Sequence, residues 1–121
     1  ADARIGAEGA FKIGLNEIAI GMPVPRFAVE LARDRLSKRH FVAAVNHAKI
    51  FGPADALDAG YLDEITSPDL VEARSIEHAH QLATTLKPAA FQLTRTFMRG
   101  ELAKRLQQGM DEDMKLFDIK A

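Results

Sequence analysis

Cysteine is absent from the 121-residue chain. That excludes disulfides, thiolate nucleophiles and sulfur-ligated metal centres, and it permits a cytoplasmic home. An excess of one charge is absent too. Sixteen Lys+Arg face 17 Asp+Glu for a net charge of -1. Nothing in that balance attracts nucleic acid or an anionic membrane surface. No apolar run reaches the roughly 18 residues of a membrane-spanning helix, and Ala1-Asp2-Ala3-Arg4 carries neither a signal nor a transit pattern. The Gly-x-Gly-x-x-Gly and Walker spacings are missing, so a nucleotide cradle of those kinds is not encoded. Ser37, Ser67 and Ser75 lack a Gly-x-Ser-x-Gly elbow. Ser37 and Ser67 read instead as helix caps. His78 and His80 are two apart on a predicted helix and diverge by about 200°. With no His-Glu-x-x-His spacing, no metal site is expected.

What is present is a 47% hydrophobic, 27% charged chain, fit for one folded domain or part of a larger one. The first third is glycine-rich. Ala3–Ala7 and Phe11–Ile13 read as short strands, and Ile18 and Ile20 alternate with Glu17 and Ala19 at period two. If extended, that segment places Glu17 opposite the isoleucines. A helix is expected from Pro25 to about Leu36 and a second over Lys38–Ile50. A short one opens at Pro53 and stops at Gly60, and a strand follows over Tyr61–Ile65. After Thr66-Ser67-Pro68-Asp69 the pattern is helical. One helix spans Leu70–Leu86, with Val71, Ala73, Ile76, Ala79, Leu82, Ala83 and Leu86 as its buried side. Another starts near Pro88, and Gly100 kinks it or joins it to a last helix carrying Leu102, Leu106, Met110, Met114 and Phe117. The Met and Phe stripe of these helices suits either core packing or a subunit interface. Asp111-Glu112-Asp113 reads as a solvated face, and Asp63-Glu64 as a strand end where one carboxylate can pair with an arginine.

One carboxylate stands out. Glu17 lies inside Ile13-Gly14-Leu15-Asn16-Glu17-Ile18-Ala19-Ile20-Gly21. A carboxyl group among aliphatic side chains is poorly hydrated and resists ionisation, which suits it to take and return a proton near neutrality. The plainer alternative is a solvated loop glutamate at a strand end.

Three segments carry a resemblance to a known family. They are Ala1-Asp2-Ala3-Arg4-Ile5-Gly6, then Phe11-Lys12-Ile13-Gly14-Leu15-Asn16-Glu17-Ile18-Ala19-Ile20-Gly21, then Pro53-Ala54-Asp55-Ala56-Leu57-Asp58-Ala59-Gly60-Tyr61-Leu62-Asp63. In that order and spacing they resemble the crotonase superfamily of enoyl-CoA hydratases and isomerases, over the later half of a family domain. The resemblance implies an α/β fold. Residues 1–66 would be the C-terminal part of a ββα spiral core, and residues 67–121 a helical region that builds trimers or dimers of trimers. It implies an acyl-CoA substrate, with coenzyme A part of the substrate and no separate cofactor. It places the family's acid/base glutamate on Glu17 and pocket contacts on Gly21, Met22, Pro25 and Phe27. Two backbone N–H groups would hold the thioester oxygen as charge develops on it.

The departures are specific. The second glutamate used by hydratases, and both oxyanion-hole segments, belong upstream of Ala1. A chain without them is expected to catalyse little alone. Asn16 stands where the family has proline. Pro23-Val24-Pro25-Arg26-Phe27-Ala28-Val29-Glu30-Leu31 replaces a Gly-Gly-x-x-Arg-Leu-like turn, which sets isomerisation against water addition. The competing reading is a non-catalytic helical interaction module derived from the same fold.

Overall fold

Two segments nearly sixty residues apart form the only regular sheet among the described residues. The computed structural model describes residues 1–116, so Phe117 lies outside them. Strand β1 (Ile5–Ala7) pairs in parallel with β2 (Glu64–Thr66), with Ile5 opposite Glu64, Gly6 opposite Ile65 and Ala7 opposite Thr66. Between them run a 3₁₀ turn (Glu17–Ile20) and helices α1 (Arg26–Arg35), α2 (Lys38–Val45) and α3 (Pro53–Ala59). After β2 come a second 3₁₀ turn (Pro68–Leu70), α4 (Val71–Thr85) and α5 (Pro88–Leu116).

The core gathers where α1, α2 and α3 meet. Ala44, Phe51, Ala56 and Ala59 are fully buried, and Ala32, Leu36 and Val45 nearly so. Alanines predominate because these short helices approach closely, and Phe51 fills the space they leave. Its backbone pairs in both directions with Ile13 (2.9 and 2.8 Å), an isolated antiparallel bridge. The expected strand Phe11–Ile13 therefore reduces to that one bridge. The second expected strand begins later than Tyr61, because the α3 terminus occupies the intervening residues. Gly60 (φ 99°) ends α3 in the left-handed region. The Tyr61 N–H reaches back to the Ala56 carbonyl at 2.9 Å and the Gly60 N–H to Leu57 at 3.3 Å, which closes the terminus as a Schellman motif. A side chain at Gly60 would put its Cβ 2.6 Å from the Arg35 carbonyl oxygen.

Helix α2 stops at Val45, short of the expected Ile50, and Ala48 takes a positive φ of 51° in the return to Phe51. Ser37 does sit at its N-cap position, but its hydroxyl meets His40 Nδ1 (2.7 Å) instead of capping a backbone N–H. Ser67 likewise makes no side-chain cap. Gly100 neither breaks nor divides the last segment, and α5 is one helix of 29 residues.

The outer helices overturn a further expectation. None of the residues assigned to the inner side of α4 is buried, and Ile76 is 62% exposed. Phe91, Phe97 and Met98 on α5 are exposed as well. Periodicity identified a real apolar stripe, but nothing among the described residues covers it. The chain exposes 8479 Å², whereas a compact protein of 13.3 kDa exposes roughly 6,500 Å².

The second half of α5 does pack, against α1. Leu102, Gly109 and Asp113 are its buried residues. Gly109 lets the backbones approach, since a Cβ there would stand 3.3 Å from Arg26 Cβ and from the Phe27 nitrogen. Asp113, expected on a solvated face, is only 5% exposed. Its Oδ2 accepts the Phe27 N–H at 3.3 Å. Pro25 occupies the N-cap position of α1 and makes no side-chain cap bond. A carboxylate from a distant helix supplies that cap and also complements the positive end of the helix dipole. Around it, Arg26–Glu112 (2.8 Å) and Arg105–Glu30 (3.3 Å) are exposed ion pairs that orient more than they stabilise.

Both carboxylates of Asp63-Glu64 are paired. The Arg4 guanidinium donates to Asp63 Oδ1 and Oδ2 (2.9 and 3.1 Å) and the Arg4 backbone N–H to Oδ2 (2.8 Å). These bonds hold the Asp63 carboxyl below the usual carboxylate range. Arg74 on α4 donates to Glu64 at 2.8 and 3.0 Å. Side-chain pairing thus clamps the entry of β1 to that of β2.

Two predictions follow from this packing. Asp113→Ala should lower stability by about 1–2 kcal/mol through loss of the cap. A shift of the urea midpoint at unchanged slope reads it, and an unmoved midpoint would show that the carboxylate contributes nothing. Because the Asp63 carboxyl titrates lower in the fold than unfolded, its contribution is full above about pH 4 and fades as pH falls through the folded value. Asp63→Asn should therefore be less stable than the wild type near neutrality. The two unfolding curves should converge in strong acid, and a constant gap across pH would contradict the clamp.

Candidate active site

Glu17 opens a tight 3₁₀ turn instead of lying on an extended segment. The Ala19 N–H bonds the Asn16 carbonyl (3.0 Å), the Gly21 N–H bonds Ile18 (3.1 Å) and the Met22 N–H bonds the Glu17 carbonyl (2.9 Å). Gly21 takes φ 81°, which an L side chain adopts only with strain, and no protein atom lies within 4 Å of where a Cβ would be. Every backbone bond that fixes the turn is local. The period-two alternation was misleading here because at three residues per turn positions i and i+3 eclipse. Glu17 and Ile20 therefore do not fall on opposite faces of a strand.

Exposure reverses what hydropathy suggests. Ile18 and Ile20 are 41% and 66% exposed, while Glu17 is half-buried. Its Oε2 is shielded from solvent and has no hydrogen-bond partner among the described residues. Leu15 and Ile13, upstream, pack against the core. The apolar run thus anchors on one side only.

The other expected pocket residues spread along the exit from the turn. Met22 is 48% exposed and hydrogen-bonded through its backbone to Glu17. Pro25 is half-buried at the N-cap of α1. The Phe27 side chain is exposed, while its N–H is held by Asp113. One end of the segment is thus fixed by its own turn and the other by α5. Hollows lie elsewhere, one of about 620 Å³ between Asp2, Phe91, Arg95 and Met98. Another of about 360 Å³ is lined by Ala79, Leu82, Ala83, Leu86, Pro88 and Phe91 at the junction of α4 and α5, and Glu17 is not on its wall.

Sequence reasoning passed over Tyr61, the only tyrosine of the chain. The Schellman bond at the end of α3 sets its backbone. Its ring lies against Phe51, with centroids 5.4 Å apart and planes tilted by 54°. Its hydroxyl oxygen is also shielded and has no hydrogen-bond partner among the described residues. Burial pushes the phenol above its ordinary range, and the negative charge of Glu17 pushes it further. The signal available beforehand was an amphipathic residue directly after a helix-ending glycine, where the chain turns back to the core.

Comparison with known proteins bears on the family and the fold. The family model for enoyl-CoA hydratase/isomerase matches residues 1–120. Human mitochondrial enoyl-CoA delta isomerase 1 is 29% identical over 117 residues, 96% of this chain but 38% of its own length. A crystal structure of an enoyl-CoA hydratase/isomerase family protein from Pseudomonas syringae superimposes with a TM-score of 0.88 at 37% identity. The match covers 95% of this chain and 50% of that one. A probable enoyl-CoA hydratase from Mycobacterium tuberculosis gives 0.88 at 34% identity over 98% of this chain and 49% of its own. The chain spans about two-fifths of the length of the curated relatives it matches and about half that of the solved structures. The expected α/β architecture, the later part of a crotonase-like domain, is thereby shown, and among the described residues no helix is long and apolar enough to cross a membrane. On its matched length and its fold, the chain belongs to the enoyl-CoA hydratase/isomerase family.

Proposed function

We propose that the protein carrying this chain moves the double bond of an enoyl-CoA thioester, with Glu17 as the proton carrier. The observation that carries the reading is the state of Glu17: a half-buried carboxylate on a rigid turn, with one shielded oxygen engaged by no protein donor among the described residues. A carboxylate kept for structure would be expected to hold an arginine, as Asp63 and Glu64 do.

In the proposed reaction Glu17 takes a proton from the carbon α to the thioester of a 3-enoyl-CoA. The C–H electron pair moves into a dienolate whose charge rests on the thioester oxygen. Two backbone N–H groups, from segments upstream of Ala1, would hold that oxygen, and they act strongly because they are oriented before charge develops. Glu17 then returns the proton to the γ carbon, leaving the 2-enoyl-CoA. One carboxyl group suffices for both transfers if it keeps the proton between them. Water addition would use a second carboxylate, which the family resemblance puts upstream of Ala1, whereas moving the double bond needs only Glu17. The human relative is named as a delta isomerase, which supports the same choice.

Gly21, Met22, Pro25 and Phe27 would line the approach to Glu17, with Met22 and Phe27 offering exposed apolar surface for an acyl chain. No cofactor beyond the coenzyme A of the substrate is required. Residues 1–66 would carry the chemistry. The uncovered stripe of α4 and α5 suits a second copy of the protein, in a trimer or a dimer of trimers, or the upstream half of the domain.

In the full-length protein, Glu17→Gln should leave acyl-CoA binding within about threefold and lower turnover of a 3-enoyl-CoA by roughly 10²–10⁴-fold. Assaying crotonyl-CoA hydration alongside separates the chemistries. Undiminished turnover in the variant would remove Glu17 from the mechanism, and hydration outrunning isomerisation in the wild type would move the protein to the hydratase reaction.

A further inference from the structure

The molecule offers few groups that its packing leaves unexplained. Among the described residues three buried side-chain oxygens lack a hydrogen-bond partner: Asp113 Oδ1, Glu17 Oε2 and Tyr61 Oη. Asp113 is accounted for by its other oxygen, which caps α1. The remaining two belong together.

They are complementary. A phenol donates one hydrogen bond, and an ionised carboxylate only accepts. A buried polar atom without a partner costs roughly as much as a lost hydrogen bond, and such atoms are uncommon in folded proteins. Two in one region, a donor and an acceptor, point to a bond made in a working state of the site. Ile13 and Leu15, just upstream of Glu17, pack against the same core cluster as Tyr61, the negative charge of Glu17 helps to raise the phenol, and no direct bond joins the two here. Hydrogen bonds of catalytic groups are often long without substrate and tighten in the complex.

The scaffold ties the two to one residue. The Tyr61 ring rests on Phe51 and its N–H is fixed to Ala56. The Phe51 backbone bridges Ile13, four residues before Glu17. Neither ring nor turn can drift far while Phe51 is fully buried.

We propose that Tyr61 is a positioning residue for Glu17: its hydroxyl donates to Oε2 when substrate enters, so that Oε1 faces the carbon being deprotonated. The inference rests on the function proposed above and adds a residue to it. One oxygen is held and the other is left to carry the proton. The held oxygen fixes the rotamer of a side chain that otherwise swings on three torsions.

The test uses the full-length protein with Tyr61→Phe, Glu17→Gln and the double variant. Tyr61→Phe keeps the ring against Phe51 and removes only the hydroxyl. Turnover of a 3-enoyl-CoA should fall by about tenfold with KM within about twofold, a split that loss of packing would not produce. In the Glu17→Gln background the same change should cost nothing further, because no acid/base group is left to position. Independently of activity, the Tyr61 phenol, isolated as the wild-type minus Tyr61→Phe ultraviolet difference, should ionise at lower pH once Glu17→Gln removes the neighbouring charge. Turnover lost in Glu17→Gln but unaltered in Tyr61→Phe would overturn this inference and leave the proposed function standing. A phenol titration indifferent to Glu17→Gln would overturn it too. Turnover surviving Glu17→Gln would overturn the proposed function and this inference together.

Discussion

Phe51 connects the core to the site. Its ring is fully buried among the alanines of α2 and α3, and both of its backbone groups are spent on Ile13. Such a residue cannot move without opening the core and breaking two hydrogen bonds, a change of several kcal/mol. The turn bearing Glu17 therefore inherits its position from a residue that carries no chemistry. Tyr61 packs against the ring of the same residue. Placing reactive groups on a loop whose roots are fixed in packed elements combines access with precision.

How much of this was legible beforehand depends on which force set each element. The starts of α1, α3 and α5 were, because each carries its own punctuation, Pro25, Pro53 and Pro88, and so was the stop of α3 at Gly60. Those signals are local and need no tertiary partner. The two strands were placed only approximately, since Ile5–Ala7 and Glu64–Thr66 overlap the expected segments but their bounds and pairing were not legible. Three-residue strands offer too few positions for a period to declare itself, and a parallel pair is fixed by partners nearly sixty residues away. Glu17 drew notice for its aliphatic neighbours, yet Ile18 and Ile20 turn outward, and the shelter of its Oε2 arises in the fold. The sequence reason for singling it out was therefore incomplete. Asp113 and Tyr61 were overlooked for one shared reason. Each acts on a residue more than forty positions away, and composition within a window cannot report such a contact.

The α4 stripe teaches a related lesson. Its periodicity is genuine, yet Ile76 faces solvent. A hydrophobic pattern records that a face is built to be covered, not which chain covers it. The exposed area exceeds that of a compact protein of this mass by about 2,000 Å², the size of a full protein–protein interface. The relatives match this chain over only part of their own length. An open face of that size is what a domain shows when the elements packing on it lie outside the segment described. The same open surface is compatible with enzyme and interaction module alike, so it cannot decide between them.

What favours the proposed enzyme is electrostatic economy. Among the described residues, Asp2, Glu30, Asp58, Asp63 and Glu64, exposed or half-buried, each pair with an arginine. The pairs are mostly wet and individually weak, but they show where arginines settle when nothing prevents it. Glu17 is more sheltered than most of these and makes no such pair among the described residues. An interaction module gains nothing from a half-buried carboxylate without a counter-ion, since that arrangement costs stability and returns no contact. In a proton-transfer site the same feature is required, because an arginine bound to the carboxylate would hold it ionised and hinder it from keeping a proton between two steps. A neutral donor such as Tyr61 orients the group without fixing its charge. The pairing of an acid with a phenol in place of a cation is thus the arrangement expected of a group that must change its protonation state twice in each turnover.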